Sequence, residues 1–277
     1  MRIHLLFPIV PSLFLIGCWG EEAKPPPPVT VAPKIELTVP KEGMAFTNSL
    51  GLLMVWCPAG SFEMGKGTNH SLEKPIHKVT FARGFWMSST EVTQSQYKAI
   101  IGSNPSHTKG ELHPVENVNF NEAQYFCQQL TSKEKKEKTI SHHFTYDIPS
   151  EAQWEYACVA GTKHPTYGLP IDEVAWHRGN SKGKHHPVAM KRPNPWGLYD
   201  MLGNVSEWCV DNVHDNYEGA PTDGSPWLKN PKQSDRMTRG GNYNKLSLFC
   251  CSYVRRFYSL SEKRAKDRGM RVVLARK

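Results

Sequence analysis

The sequence predicts an α+β domain built from a few short helices, short strands and many loops. The 277 residues include 21 Gly and 21 Pro, which interrupt regular elements. Eight Trp, ten Tyr and eleven Phe supply rings that can fill a core between short elements. The helical patterns described below each cover only a few turns. The length suits one sizeable domain or two small ones.

The first 17 residues are predicted to be a signal peptide. Met1-Arg2 precedes an apolar stretch, residues 3–16, which Pro8 and Pro11 interrupt and which is too short to span a membrane. It ends in Leu15-Ile16-Gly17-Cys18, which resembles a bacterial lipobox. An ordinary signal peptide with an incidental cysteine is the alternative.

The lipobox resemblance implies that processing leaves Cys18 as the first residue, carrying acyl chains such as palmitate on its sulfur and amine. Trp19, in place of Asp, suggests the outer membrane of a Gram-negative cell. Several acyl chains would give stable anchoring. Residues 18–43 are proline-rich and predict an extended tether, and residues 44–277 are predicted to be the folded domain.

Three helix starts are predicted from capping boxes, in which a polar side chain precedes a glutamine by three residues. The pairs are Thr93 and Gln96, Asn121 and Gln124, and Ser150 and Gln153. Gly102 and Gly161 are predicted to end the first and third helices. The mixed charge run at residues 133–138 indicates a solvated helix end rather than a binding patch.

Short apolar runs predict the strands. Residues 52–57 end at Pro58 and Gly60, and residues 61–64 alternate in polarity, so a hairpin is expected there. Residues 270–275 predict a strand near the C-terminus. The net charge of +8 and pI near 9.1 are not accompanied by any RNA or DNA motif, so we expect a basic surface and no nucleic-acid partner.

Residues 197–208, the clamp segment, combine acids and glycines in an otherwise apolar stretch. Asp200 and Glu207 can supply carboxylate oxygens, and Gly203 allows a sharp turn that directs the carbonyls of Gly203 and Val205 to the same point. Oxygen ligands favour calcium. The alternative is that the two acids lie on the surface beside an ordinary turn.

Several motifs occur in an order that resembles the formylglycine-generating enzyme, or sulfatase-modifying factor, family over nearly the whole mature chain. They are Phe62-Glu63-Met64-Gly65, Glu73-Lys74-Pro75 with His77, Glu91-Val92-Thr93, the run from Pro149 to Ala157, the clamp segment, Arg239-Gly240-Gly241 and Gly269-Met270-Arg271. The resemblance implies an irregular fold related to C-type lectins, with a small twisted antiparallel sheet flanked by helices. It also implies calcium at Asp200, Gly203, Val205 and Glu207. A second family calcium site would start at Asn180-Ser181, but its loop is shortened here and contains His185 and His186, so we expect one site.

The family's enzymes oxidise a substrate cysteine with molecular oxygen, using copper held by two thiolates. Cys250 matches the second thiolate position, whereas Lys245 occupies the first. An ammonium group is not a soft ligand and would oppose cation binding. Cys251 would project away from Cys250 in an extended backbone. Copper is therefore not expected, and a buried or disulfide-bonded Cys250 is the favoured interpretation.

Six cysteines remain after Cys18, and sequence alone allows fifteen ways to pair all six. Because the clamp and the final segment lie side by side in the family's fold, the resemblance favours a bridge from Cys209 to Cys250 or Cys251. Cys158 matches a disulfide cysteine of some family enzymes, but its partner position is Val272, so no such bridge is expected.

Two functions remain open. The first is a lipid-anchored, calcium-stabilised binding or scaffold module with a protein or glycan ligand, for which Asn242, Tyr243, Asn244 and Tyr253 are the candidate contact residues. The alternative is an extracytoplasmic oxidoreductase that modifies a cysteine or another side chain through Cys250 or an unrecognised metal site. The metal content of the protein separates the two.

Overall fold

The computed structural model describes residues 44–67, 70–228, 234–255 and 257–276. The predicted signal peptide, Cys18 and the predicted tether lie outside the described residues. Within these ranges, no helix has both the length and the apolarity needed to cross a bilayer.

The domain contains four helices and thirteen short strands among its described residues. The helices are α1 (Gln94–Ile101), α2 (Phe120–Lys136), α3 (Glu151–Val159) and α4 (Ile171–Val174). The strands are β1 (Ala45–Thr47), β2 (Leu53–Cys57), β3 (Gly60–Met64), β4 (His77–Phe81), β5 (Phe85–Ser88), β6 (Phe144–Asp147), β7 (Ala175–Trp176), β8 (Leu202–Gly203), β9 (Ser206–Asn212), β10 (Asp235–Arg239), β11 (Phe257–Leu260), β12 (Arg268–Gly269) and β13 (Val273–Arg276).

Two of the three predicted helix starts are confirmed. Thr93 caps α1 and Ser150 caps α3, each through a complete capping box with the glutamine three residues later. Gly102 ends α1 in the left-handed conformation, as predicted. The end of α3 differs by one residue, because Ala160, with φ of 45°, caps the helix before Gly161.

The predicted start of α2 is wrong by two residues. Asn119 is the N-cap, and its partner in the capping box is Glu122 rather than Gln124. The earlier start brings Phe120 into the first turn, where its ring packs edge-on against Trp208 at a centroid distance of 5.9 Å. Tertiary packing therefore selects between two overlapping capping patterns. The helix ends at Lys136, so the charge run does lie at a helix end.

The largest sheet has five strands in the order β1-β2-β5-β13-β6, all antiparallel. The predicted hairpin between residues 52–57 and 61–64 is wrong, since β2 joins this sheet and β3 pairs with β4 in another. β2 pairs with β1 and β5, and β3 pairs with β4. The strand predicted over residues 270–275 is confirmed as β13, which begins three residues later, at Val273, and lies between β5 and β6.

A second sheet carries the clamp segment. Its order is β11-β10-β9-β12, with β9 antiparallel to β10 and parallel to β12. All seven residues of β9 are buried, and the two hydrophobic clusters of the core meet along it: Trp208 belongs to one cluster and Cys209 to the other. The prediction of an irregular α+β domain with small antiparallel sheets is confirmed.

Candidate functional site

The backbone of the clamp segment is folded tightly around β8. Asp200, Gly203 and Asn204 all have positive φ angles, of 55°, 82° and 51°. A Cβ atom on Gly203 would lie 2.2 Å from the carbonyl oxygen of Trp176, so only glycine fits beside β7. The Gly203 amide donates to the carbonyl of Gly240 at 2.8 Å, which joins the clamp to the Arg239-Gly240-Gly241 motif.

Glu207 is completely buried and is held by two side chains. Arg271 donates to both carboxylate oxygens, with Nε 2.6 Å from Oε2 and Nη2 2.7 Å from Oε1. Trp154 Nε1 donates to Oε2 at 2.7 Å. The guanidinium of Arg271 also donates to the carbonyls of Ser88 and Tyr199 at 2.9 Å each, so its position is fixed by several elements.

Two further buried carboxyl groups lie at this centre. Glu91 accepts from the Asn204 side chain at 2.7 Å and from the Val205 amide at 3.0 Å. These bonds hold the left-handed turn at Asn204 in place. Asp200 accepts from the Ala189 amide at 2.7 Å. Glu91, Asp200, Glu207 and Arg271 are called the clamp cluster below.

The clamp cluster contains three carboxyl groups and one guanidinium, and this excess of acid affects protonation. Burial raises the pKa of Asp200 to about 6, and the nearby charge of Glu207 adds to the rise, while Arg271 and Lys191 oppose it. Burial, followed by the charges of Asp200 and Glu207, raises the pKa of Glu91 well above its ordinary value. A cation at this centre would favour the ionised carboxylates.

A second buried ionic cluster, the α3 cluster, serves as an internal reference because its charges balance. Its members are Glu151, Glu155, Arg239 and Arg255. Arg255 Nε lies 2.9 and 3.0 Å from the two Glu151 oxygens, and Arg239 donates to both glutamates. Asp211, beside it, accepts from the Glu151 and Trp227 amides, and burial raises the pKa of Asp211 to about 7.

The donors of the clamp cluster fit a hard cation such as calcium. Every donor predicted there is an oxygen, and the local charge is negative whenever the carboxyl groups ionise. Glu207 is already engaged by Arg271, so Asp200 and the backbone carbonyls of Gly203 and Val205 are the main candidate donors. Among the described residues, no group of three or more His, Cys, Asp or Glu side chains is arranged to hold a metal ion. A site here therefore depends on backbone carbonyls.

The position expected for copper offers a different set of groups. Lys245 lies where the family pattern has its first thiolate, and its carbonyl accepts from the Arg178 amide at 2.8 Å. Cys250 follows a short 3₁₀ turn, Ser247–Phe249, and its side chain is completely buried. Burial raises the pKa of the Cys250 thiol to about 12, so it is protonated at neutral pH. One buried neutral thiol and a lysine do not fit a copper site.

The six described cysteines are all free thiols. The bridge expected from Cys209 to Cys250 or Cys251 is therefore absent. Cys158 is also unbridged, as expected, and its sulfur lies 3.7 Å from the Tyr167 hydroxyl. Burial raises the pKa of the Cys158 and Cys209 thiols, and both side chains lie in the apolar core.

The four predicted contact residues do not form one open surface. Asn242 and Tyr243 are buried: the Asn242 side chain accepts from the Asn244 amide at 3.0 Å, and the Tyr243 amide donates to the Asn204 carbonyl at 2.8 Å. Both residues thus hold the loop after Gly241 in place through internal hydrogen bonds. Asn244 is exposed and Tyr253 is partly exposed, so these two remain available to a ligand.

The region of the second family calcium site is occupied by internal hydrogen bonds. The Asn180 side chain bonds to Asp172, to the His177 amide and to the Ala175 carbonyl. Ser181 Oγ donates to the Tyr243 carbonyl at 2.8 Å. The structure thus uses the side chains of Asn180 and Ser181 to hold the loop.

Sequence reasoning missed the role of three residues that surround Glu207. Glu91, Trp154 and Arg271 all lie within motifs that carry the family resemblance, but nothing in their spacing indicates that they meet. Two surface hollows, of about 820 and 610 Å³, lie against α1 and against the start of α2. Neither is lined by the clamp cluster or by Cys250.

Comparison with known proteins relates these features to described families and structures. Residues 45–276 match the family of the sulfatase-modifying factor enzyme 1-like domain. The chain is similar to the chaperone protein LppX of Paenibacillus barcinonensis, with 28% identity in an alignment of 236 positions that covers 68% of this chain and 79% of LppX.

An enzyme and a solved structure are also similar to the chain. The formylglycine-generating enzyme of Mus musculus is 26% identical in an alignment of 232 positions that covers 75% of this chain and 55% of that enzyme. The chain thus spans about half the length of the mouse enzyme. The structure of PvdO from Pseudomonas aeruginosa has a TM-score of 0.75 and 30% identity, covering 85% of this chain and 99% of PvdO.

Proposed function

The chain belongs to the sulfatase-modifying factor family, and from that premise we propose that it is a calcium-stabilised binding or scaffold module, held at an extracytoplasmic membrane surface by a lipid anchor. The proposal assigns the domain to recognition rather than to formylglycine formation. A fold does not by itself determine activity, so the proposal depends on the groups present at the sites.

The observation that carries the proposal is the pair of residues at the expected copper position. Lys245 brings a positive charge to the place where a thiolate is needed, and Cys250 is a buried thiol with a raised pKa. Gly241 packs so closely on Cys250 that a Cβ there would lie 2.9 Å from the sulfur. A substrate thiol would have no space to approach the sulfur from that side.

Calcium is proposed at the clamp cluster, with Asp200 and the backbone carbonyls of Gly203 and Val205 as the main donors and Glu207, which Arg271 also engages, as the fourth. When bound, the ion supplies positive charge that offsets the excess of buried carboxylates. Arg271 fixes Glu207 and Glu91 fixes the Asn204–Val205 turn, so the donors are oriented by side chains that are themselves hydrogen bonded.

The anchor is proposed at Cys18, with the outer membrane of a Gram-negative cell as the site. The similarity to LppX, described as a chaperone protein, supports a role in binding other proteins. Asn244 and Tyr253 are proposed to contact a protein or glycan ligand, and no nucleic-acid partner is proposed. Labelled palmitate should enter the wild-type protein and not the Cys18→Ser variant, which would remain soluble after cell lysis.

The alternative function is an extracytoplasmic oxidoreductase. Two observations favour it: the similarity to the mouse formylglycine-generating enzyme and the partly exposed Cys251 beside Cys250. Burial also raises the pKa of Cys251, which reduces the fraction of reactive thiolate at neutral pH.

Metal analysis and oxygen uptake test the two functions directly. The wild-type protein is expected to contain calcium, to bind no stoichiometric Cu(I), and to consume no oxygen with a cysteine-containing peptide. The Lys245→Cys variant restores the missing thiol and is expected to gain Cu(I) binding, while Lys263→Cys, at an exposed site, is the control for an added thiol. Peptide-dependent oxygen uptake by the wild-type protein with copper would refute the scaffold assignment.

A further inference from the structure

Two histidine side chains from separate loops meet outside the clamp cluster. Nδ1 of His113 lies 2.9 Å from Nδ1 of His185, and the ring planes are 73° apart. The loops that carry them are joined by the hydrogen bond from the Val188 amide to the Leu112 carbonyl, at 3.0 Å. The two nitrogens are therefore positioned by the backbone on both sides.

A buried carboxylate stands behind one of the rings. Oε1 of Glu116 lies 3.7 Å from Nε2 of His185, on the side opposite His113. Glu116 is completely buried, and His185 is 1% exposed. Oε1 accepts from the amides of His107 and Thr108, whereas Glu116 Oε2 and His185 Nε2 have no hydrogen-bond partner. Buried polar atoms without partners call for an explanation, such as a ligand.

We propose that His113 and His185 bind one divalent transition-metal ion of the zinc class, with Glu116 as the outer carboxylate that orients His185. In this arrangement both Nδ1 atoms face the ion, and His185 Nε2 carries its proton towards Glu116. Carboxylate, histidine and metal in this order recur in protein zinc sites. The proton on Nε2 would then face the buried Glu116 carboxyl group, while the ion occupies the two Nδ1 atoms.

The distance between the nitrogens is close to what such an ion needs. With metal–nitrogen bonds of about 2.0–2.1 Å and a tetrahedral angle, two histidine nitrogens lie about 3.3 Å apart. The observed 2.9 Å requires the two nitrogens to separate by about 0.4 Å and both rings to turn, so that the two Nδ1 lone pairs point at the ion instead of at each other. In the metal-free chain, one Nδ1–H donates a hydrogen bond to the other Nδ1. When the ion binds, that proton moves to Nε2 of the same ring.

Charge and exposure also favour this site. His185 is the one basic side chain that lies within ion-pair distance of Glu116 among the described residues, so a cation bound to His185 would add positive charge beside this buried carboxyl group. Burial lowers the pKa of His113, and the charges of His185, His186 and Lys184 lower it further, so its imidazole is neutral at pH 7. His113 is only partly buried, which leaves the remaining coordination positions to water or to a donor from a partner. Imidazole nitrogens favour zinc or copper over calcium.

Titration of the full-length protein with Zn²⁺ and with Cu²⁺, in the presence of a competing chelator, tests this site. One equivalent is expected to bind. The His113→Ala and His185→Ala variants should bind at least tenfold more weakly, and Glu116→Gln about 10–100-fold more weakly, the range expected for loss of an outer carboxylate. The double variant His142→Ala/His143→Ala removes an adjacent pair with rings 4.0 Å apart and should bind as the wild type does.

The site is refuted if the protein binds neither ion, or if both alanine variants bind as tightly as the wild type. His113 is partly exposed, so its variant is expected to fold even if the buried His185 variant does not, and thermal unfolding verifies this. Excess Ca²⁺ should not displace the ion; displacement by Ca²⁺ with equal affinity would place binding at the clamp cluster instead and would also refute the histidine site.

Discussion

The clamp cluster and the α3 cluster are both buried ionic networks in one domain, but their charges differ. The α3 cluster pairs two glutamates with two arginines, whereas the clamp cluster sets three carboxyl groups against one arginine. Trp154 links them, because its Nε1 donates to Glu207 while its ring lies 5.2 Å from the guanidinium of Arg239. Two centres of similar burial therefore differ in whether a cation is needed.

The difference distinguishes a cluster whose charges are paired within the protein from a cluster that would gain from a bound cation. A buried charge is tolerated best when it is paired, and the α3 cluster pairs each glutamate with an arginine, although Arg239 Nε and Arg255 Nη2 have no hydrogen-bond partner among the described residues. The clamp cluster is well hydrogen bonded but has more carboxyl groups than cations: burial is the main cause of the raised pKa values of Asp200 and Glu91, and the charge of Glu207 raises both further. A calcium ion would offset the excess carboxylates of the clamp cluster, as the two arginines offset the two glutamates of the α3 cluster.

Removing one arginine from each cluster should produce the largest difference between the two clusters in the free energy of unfolding. Arg271→Met leaves three buried carboxyl groups without a buried cation and is expected to cost about 3–5 kcal/mol in the free energy of unfolding. Arg255→Met should cost less, since Arg239 still balances the α3 cluster. Urea unfolding measures both. Equal losses would show that charge balance does not distinguish the clusters.

Calcium should stabilise the protein through the clamp cluster alone. At a concentration 100 times the dissociation constant, the free energy of unfolding is expected to rise by about 2.7 kcal/mol. Asp200→Asn should abolish this rise, because it removes a charged oxygen donor. Asp211 is a buried aspartate beside the α3 cluster, and the Asp211→Asn variant should retain the calcium-dependent rise. Each variant is compared with and without calcium by thermal unfolding, and a calcium response in Asp200→Asn would contradict the assigned site.

The pH dependence should show the smallest effect and should have an unusual sign. In the folded chain the pKa of Asp200 is about 6 and that of Asp211 about 7, both above the unfolded value of 3.8. From about pH 4 to 7 the folded state therefore holds protons that the unfolded state releases, so these groups reduce stability as pH rises. Because Asp200 shares its proton with a neighbouring carboxyl group, its contribution to this change is expected to be smaller than its pKa shift alone would give, about 1–2 kcal/mol.

Unfolding in EDTA at pH 4, 5, 6 and 7 measures this change. The histidines titrate in the same range, so the informative quantity is the difference between the wild type and Asp200→Asn. Between pH 4 and pH 6 the free energy of unfolding of Asp200→Asn should rise relative to that of the wild type, because the variant has no carboxyl group to ionise at this position. A difference that is constant with pH would show that Asp200 titrates normally.

Local patterns predicted the ends of α1 and the start of α3, but not the start of α2. A capping box joins residues three apart, so sequence contains all of its geometry. Where two boxes overlap, as at Asn119 and Asn121, the packing of Phe120 on Trp208 decides between them. The predicted hairpin was wrong for a related reason, because β2 and β3 each pair with a strand that occurs later in the chain.

The sequence by itself determined the tight turn at Gly203, the acids of the clamp segment and the lysine at the expected thiolate position. These are properties of single residues or of short runs. Only the tertiary structure decided that Glu91 bonds to Asn204, that Arg271 holds Glu207, and that the cysteines stay unbridged. The physical reason is sequence separation: Glu91 and Asn204 are 113 residues apart, and only the completed core fixes the distance between such groups.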